Sequence, residues 1–262
     1  MSVATHKVAC MVINPNALGL DLPPGAMRVQ PSLWYSSDPA QLNTWARLLP
    51  AREASGMHPV LLVNDEDRSL TWDRDLDLDR VSHPDDYDVE EVLTSLWDYD
   101  MAENEGEDDA DTIAPFTSEW PGLAPAGERL ADPDVTAARV AGELMKAGRL
   151  PDARAGLVPV RHSADIPSAL GWTAAGNHYE TGPLSTILRS WEDRFGLRVV
   201  ALHFDRLDVS VAAPPSTMTD ALAVAAEHHA FCPDNVRQGY DTIREYAAEG
   251  VLGKQHWTFW WD

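Results

Sequence analysis

The residues Val224 to Tyr240, VAAEHHAFCPDNVRQGY, combine an apolar helical pattern with a group of potentially reactive side chains. A hydroxyl at Ser216 or Thr217, directly after two prolines, predicts the start of a helix, because it can accept hydrogen bonds from the first free amides. Pro233 predicts the end of this helix at or before Cys232, since proline disfavours helical geometry in the residue that precedes it. The stretch therefore predicts one helix with a sharp end.

Polar residues share the apolar face of this predicted helix. Its apolar residues recur at steps of three and four, which places His228 and Cys232 on the buried face with Glu227 beside them. One interpretation is a core histidine with a hydrogen-bond partner, as buried polar groups normally have. The other is a metal or acid/base site built from Glu227, His228, Cys232 and Asp234, since ligands four residues apart are compatible with zinc. The sequence has no second closely spaced Cys or His pair to complete four zinc ligands.

Composition limits the class of protein. The chain has 262 residues, of which 44% are apolar and ten are tryptophan, enough to bury the core of one large domain or two small ones. Only Cys10 and Cys232 are present, which argues against a disulfide scaffold and favours a reducing cytoplasm. No run approaches the roughly 18 apolar residues of a membrane span, and no signal-peptide pattern is visible. We therefore expect neither secretion nor membrane insertion.

The negative charge is concentrated in one segment. The formal net charge is -22, and residues 65–111 alone hold 20 acidic and 3 basic residues. Such a segment repels phosphate backbones, so we expect no direct nucleic-acid binding and consider a basic protein as the possible partner.

The N-terminal part reads as alternating strands and helices. We expect a strand at Val8–Ile13 and a helix that begins at Pro39 with Asp38 as its cap. The run PVLLV at residues 59–63 is typical of a central strand buried on both faces. This order of elements predicts α/β layering.

The acidic segment begins with aspartates at alternate positions, Asp73, Asp75, Asp77 and Asp79. A calcium loop is not predicted, because Leu78 and Pro84 occupy the positions that need glycine and a bidentate glutamate. We expect an exposed, charged edge strand instead. An amphipathic helix then starts near Val89, and the acidic residues 101–112 are expected to form a loop.

The C-terminal half has the clearest helical signal. After a Pro- and Gly-rich connector at residues 113–135 and a helix over 136–148, a helix runs from Pro183 to Gly196 and buries Trp191. Arg189 and Asp193 are spaced to pair on its outer face. Residues 197–204 and 207–211 predict a hairpin, and the aromatic residues 256–262 predict a final strand.

Several motifs occur in one order in this half. They are Gly171-Trp172, RSWEDRFG at 189–196, Pro214-Pro215, AEHHAFCPDN at 226–235, Gln238-Gly239 and FWWD at 259–262. Together they resemble a bacterial family known as domain of unknown function 4253. The resemblance covers about residues 156–262 and implies a bacterial, soluble α/β protein without an established reaction.

These observations predict one α/β or α+β domain in which helices pack on a mixed sheet. Residues 1–64 form its N-terminal part, 65–135 an acidic insertion and connector, and 136–262 the C-terminal core. We expect the His228 helix to lie between the tryptophan helix and the closing aromatic strand.

Two functions remain open at this point. The first is a non-catalytic, immunity-like protein that neutralises a basic toxin or nuclease through its acidic surface. The second is a hydrolase or metal-assisted enzyme, with Glu227 as general base, His228 or His178 as acid or ligand, and Arg194 holding an anion. The sequence specifies no cofactor. The candidate binding residues are Trp191, Glu192, Asp73, Asp75, Asp77 and Asp79.

Overall fold

The computed structural model describes most of the chain. For Arg80 and residues 107–109 it describes the backbone alone. The expected strand Val8–Ile13 and the candidate residues Asp73, Asp75 and His178 lie outside the described residues. The described residues are Pro15, 19–64, 76–104, 107–173 and 180–261.

One mixed sheet organises the fold. Its strands are β1 (Gly25–Arg28), β2 (Leu33–Pro39), β3 (Met57–Leu62), β4 (Arg154–Pro159), β5 (Leu197–Leu202), β6 (Arg206–Val211) and β7 (His256–Trp260). They are ordered β1-β2-β4-β3-β5-β6-β7. Among these seven described strands, only β3 and β5 pair in parallel, and the other neighbours are antiparallel. The predicted α/β fold with a mixed sheet is confirmed.

Helices cover both faces of the sheet. They are α1 (Thr44–Ser55), α2 (Val89–Glu103), α3 (Glu107–Ile113), α4 (Pro133–Lys146), α5 (Ile166–Leu170), α6 (Thr181–Phe195), α7 (Met218–Phe231), α8 (Asp234–Arg237) and α9 (Ile243–Tyr246). Short 3-10 turns lie at Leu78–Arg80, Pro84–Asp86 and Ser163–Asp165, and a π-helical turn at Ala247–Val251.

The central strand β3 separates two layers of core. Val60 and Leu62 belong to the large cluster that includes α2, α6 and α7, whereas Leu61 and Val63 pack with α4 and Trp45 of α1. This alternation follows from the period of two along a strand. The prediction that PVLLV is buried on both faces is confirmed.

The predicted helix start at Pro39 is wrong. Strand β2 continues through Pro39, and the amide of Ala40 still donates to the carbonyl of Ala153 at 2.7 Å. The β2–β4 register shifts between Tyr35 and Pro39, an irregularity at which a strand tolerates proline. The helix begins at Thr44 and includes Pro50.

The acidic segment is more helical than expected. The edge-strand prediction is wrong for residues 77–80, because the Asp77 carboxylate accepts from the amide of Asp79 at 2.9 Å and caps a 3-10 turn. The expected loop at 101–112 is also wrong, since α2 extends to Glu103 and α3 follows. The predicted amphipathic helix from Val89 is confirmed.

The elements predicted for the C-terminal half are confirmed, apart from one ion pair. Arg189 does not pair with Asp193 but with Asp165 and Asp85. Each of these two aspartates lies in a 3-10 turn that packs against α6. Gly196 ends α6 with a left-handed φ of 63°. Trp257 and Phe259 of β7 are buried, and Trp260 between them and the terminus is half-buried. Across the part of the chain that the structure describes, no helix has the length and apolar character needed to cross a membrane.

Candidate functional site

Helix α7 carries the central polar residues into the core. Its start is capped by the Thr217 hydroxyl, which accepts from the amide of Asp220 at 3.1 Å, and its last turn ends at Cys232. Glu227, His228 and His229 are all 0% exposed. Since burying an unpartnered polar group is costly, the partners of these three side chains define what they do.

Glu227 is bound by four donors. Oε1 accepts from Nη1 of Arg194 at 2.7 Å and from the amide of Ala124 at 2.6 Å. Oε2 accepts from Nη2 of Arg194 at 2.6 Å and from Nε1 of Trp191 at 2.7 Å. The bidentate pair therefore ties α7 to α6, and the Ala124 amide ties both helices to the connector.

The connector takes part in the core. Ala124 is buried, and its carbonyl accepts from Nη1 of Arg194 at 2.8 Å. The amide of Gly127 donates to the carbonyl of Arg194 at 3.1 Å, and that of Leu130 to the carbonyl of Ala212 at 3.0 Å. The connector thus closes over Arg194 and excludes Glu227 from solvent.

His228 lies in an aromatic environment. Its ring centroid is 4.8 Å from that of Trp191, 4.4 Å from Trp257 and 4.9 Å from Phe259. Burial lowers the pKa of His228 well below its usual value, and the charge of Arg194 lowers it further. Nδ1 lies 2.9 Å from the hydroxyl of Tyr246. The histidine is therefore neutral, and the expected position between the tryptophan helix and the aromatic strand is confirmed.

Asn235 and Cys232 close the outer edge of β7. The Asn235 amide donates to the carbonyl of Thr258 at 2.7 Å and to the Tyr246 hydroxyl at 3.2 Å. The thiol of Cys232 donates to the carbonyl of Trp260 at 2.9 Å. Burial raises the pKa of this thiol, so Cys232 is held as a neutral donor.

His229 connects α7 to the acidic helix α2. Its Nε2 lies 2.8 Å from Oδ2 of Asp100, which also accepts from Nη2 of Arg237 at 2.6 Å. Burial opposes ionisation of Asp100, but the bonds from His229 and Arg237 outweigh it and lower the carboxyl pKa. Hydrogen bonds to the buried Asp100 carboxylate therefore join α2, α7 and α8.

The remaining predicted residues lie apart from one another. Glu192 accepts from the amide of Ala164 at 3.0 Å and pairs with Arg198, away from Glu227. Asp234 lines a surface cavity, and Asp79 is exposed. Among the residues that the structure describes, no group of three or more His, Cys, Asp and Glu side chains is arranged to hold a metal ion.

A groove follows one face of α2. Two cavities of about 390 and 580 Å³ adjoin there and share Ser95 and Leu96 as lining residues. The smaller cavity is lined by Asp86, Tyr87, Asp88, Glu91, Val92, Ser95, Leu96, Glu180 and Pro183, and the larger by Ser95, Leu96, Tyr99, Asp100, Glu103, Asn104, Ala230, Pro233, Asp234 and Arg237. We call this surface the α2 groove.

The α2 groove is strongly acidic. Seven carboxylates and one basic side chain are among its described lining residues. The basic one, Arg237, pairs with Asp100 on the floor, and Tyr99 stands 65% exposed beside it. The groove therefore combines negative charge with apolar and aromatic contact area.

Sequence reasoning missed a second polar cluster on the opposite face of the sheet. Asp208 of β6 is buried, with Oδ2 at 2.8 Å from Nε2 of His203 and Oδ1 at 2.8 Å from Nε2 of His256. Burial again opposes ionisation, but the two imidazole bonds lower the pKa of Asp208. A signal was present, because Asp208 alternates with Leu207 and Val209 and must point to the other face.

The comparisons with known proteins concern the C-terminal part. Residues 154–262 match the family described as Domain of unknown function (DUF4253), as the resemblance of the motifs predicted. This region includes α6, α7 and β7, and so both partners of the Glu227–Arg194 pair. The acidic helix α2 lies outside the matched residues. No curated protein and no solved structure matches the chain.

Proposed function

We propose that this protein is a non-catalytic interaction protein that neutralises a basic protein partner, in the manner of an immunity protein. The α2 groove is the proposed binding surface. A bacterial cytoplasm is the proposed setting, on the basis of the cysteine usage and the family resemblance. Nucleic acid is not the proposed partner, because the acidic groove repels phosphate groups.

The observation that carries this proposal is the anchoring of α2. Leu93 and Trp97 are 0% exposed, and Nε1 of Trp97 donates to the carbonyl of Ser118 at 3.1 Å. Asp100 adds its hydrogen bonds with His229 and Arg237. The outward acids are therefore displayed on a fixed helix, which spares a binding event the cost of ordering them.

Charge complementarity supports a basic partner. Glu91 and Glu103 are exposed on the groove face of α2, and Asp86 and Asp88 are exposed just before it. A field of one sign accelerates the encounter with a cationic protein and disfavours acidic competitors. The exposed Tyr99 adds an aromatic contact of the type that carries binding energy at interfaces.

The enzyme alternative receives less support from the geometry. A general base needs a lone pair directed at the substrate, but both oxygens of Glu227 already accept from two donors each. His228 is fully buried among aromatic rings. These contacts favour a structural role for both Glu227 and His228.

Affinity purification with matched variants tests the proposal. In one variant Asp86→Asn, Glu91→Gln and Glu103→Gln neutralise three exposed acids of the groove. In the control, Glu128→Gln, Asp193→Asn and Glu249→Gln neutralise three exposed acids elsewhere. We expect a basic protein, identified by mass spectrometry, to be retained by the wild type and the control and lost from the groove variant. Equal retention by both variants, or no basic protein with the wild type, contradicts the proposal.

A further inference from the structure

We infer that the partner places a basic amphipathic α-helix in the α2 groove. This inference rests on the proposed function and specifies the part of the partner that is bound. It follows from the shape of the groove, from the position of its apolar residues, and from the distribution of its charge.

One face of α2 forms one side of the groove. The lining residues from α2 and its two caps recur at alternating steps of three and one along this face, and only Asp100 among them is buried. The face extends from Asp88 to Asn104, about 24 Å at the helical rise of 1.5 Å per residue. The residues of this face are Asp88, Glu91, Val92, Ser95, Leu96, Tyr99, Asp100, Glu103 and Asn104. A groove of this length fits a helix of about 16 residues.

The opposite wall is formed by other helices. Glu180 and Pro183, at the start of α6, line the smaller cavity, and Ala230 and Pro233, at the end of α7, line the larger one. Asp234 and Arg237 of α8 also line the larger cavity, so a bound helix would contact four helices of this chain. Such a site between helices is the usual setting for helix-in-groove recognition.

The groove has an apolar centre between acidic ends. Leu96 lines both cavities and lies at their junction, with Val92 one turn before it and Tyr99 about one turn after it. Acids flank this apolar centre at both ends. A complementary helix therefore has apolar residues at steps of three and four on one face and Lys or Arg on its flanks.

Peptide binding tests this inference. The probes are two labelled 16-residue peptides of identical composition, rich in Lys, Arg and Leu. In the first the leucines occupy one helical face, and in the second they are redistributed so that no helical face is apolar. Fluorescence anisotropy measures their affinity at physiological salt, and circular dichroism measures the helix that the peptide gains on binding. We expect the first peptide to bind at least about tenfold more tightly and to become helical.

Variants of exposed aromatic residues provide the control. Tyr99→Ser should remove most of the tenfold preference, whereas Phe204→Ser, at an exposed aromatic outside the groove, should leave it unchanged. Equal binding of both peptides overturns the inference but leaves the proposed function, since charge alone is then recognised. If the wild type binds neither peptide nor any identified basic protein, both fail. Binding of a basic protein without either peptide overturns the helix inference alone.

Discussion

The guanidinium of Arg194 forms two parallel hydrogen bonds with the carboxylate of Glu227, at 2.7 and 2.6 Å. The Glu227 side chain is 0% exposed and that of Arg194 is 15% exposed. Loss of one partner leaves a charge in a medium that cannot solvate it, which costs more than the pair itself contributes. The pair therefore fixes how α6 and α7 meet.

Substitution of one partner should destabilise the fold severely. We expect Arg194→Met to lower the free energy of unfolding by about 3–5 kcal/mol, because Glu227 is then buried without its counter-ion. The double variant with Glu227→Met should lose less than the sum of the two single variants, by about 1–3 kcal/mol. Urea unfolding measures all three. Additive losses would show that the two side chains do not interact.

Stability should fall between pH 6.5 and 5. Burial, together with the charges of Arg52 and Arg198, lowers the pKa of His58 to about 3 from 6.5. As the pH falls below 6.5, His58 stays neutral in the folded state but becomes protonated in the unfolded state, so unfolding takes up a proton and acid favours it. The expected contribution rises from about 0.7 kcal/mol per pH unit at pH 6.5 to about 1.4 kcal/mol per pH unit at pH 5. His58→Gln should reduce the slope of unfolding free energy against pH by this amount, and an unchanged slope would contradict it.

The buried carboxylate of Asp208 should contribute to stability although it lies on the face of the sheet opposite α2. Asp208→Ala leaves His203 and His256 without their acceptor, so we expect a loss of about 2–4 kcal/mol in unfolding free energy. The exposed Asp193→Ala serves as control and should change it by less than about 0.5 kcal/mol. Thermal or urea unfolding measures both variants. Similar losses of unfolding free energy for the two would show that the Asp208 cluster does not stabilise the fold.

Cys232 should be inert in the folded protein. Its thiol is buried and donates to the carbonyl of Trp260, and its pKa is raised. In a Cys10→Ser background, reaction with an aromatic disulfide reagent should be at least about a thousandfold slower in buffer than in denaturing urea, because it requires opening of the fold. Rapid labelling in buffer would place the thiol in an accessible site.

Local sequence patterns predicted the main packing elements. The helix ending at Cys232, the tryptophan helix and the aromatic strand repeat at 3.6 or 2 residues, which identifies their buried faces, and the continuous apolar run PVLLV identifies a strand buried on both faces. The position of His228 between the rings of Trp191 and Trp257 follows from these buried faces. Such patterns carry no information about which polar residues meet.

Long-range polar contacts were therefore beyond sequence reasoning. Arg194 and Glu227 are 33 residues apart, and Ala124 and Glu227 are 103 apart. Nothing in a Pro- and Gly-rich connector marks Ala124 as a donor to a buried carboxylate. The acidic composition of residues 101–112 led to the incorrect loop prediction, because Met101 and Ile113 are buried and anchor α2 and α3 in the core.

Hydrogen–deuterium exchange of α2, without and with the amphipathic basic peptide, tests the central claim most directly. In the proposed function, α2 is a fixed part of the fold and its outer face binds the partner. We expect the amides of residues 93–101 to be protected in the free protein, and the peptide to slow exchange further in α2 and α8. Unprotected α2 amides in the free protein, or peptide-induced protection confined to the opposite face of the sheet, would contradict it.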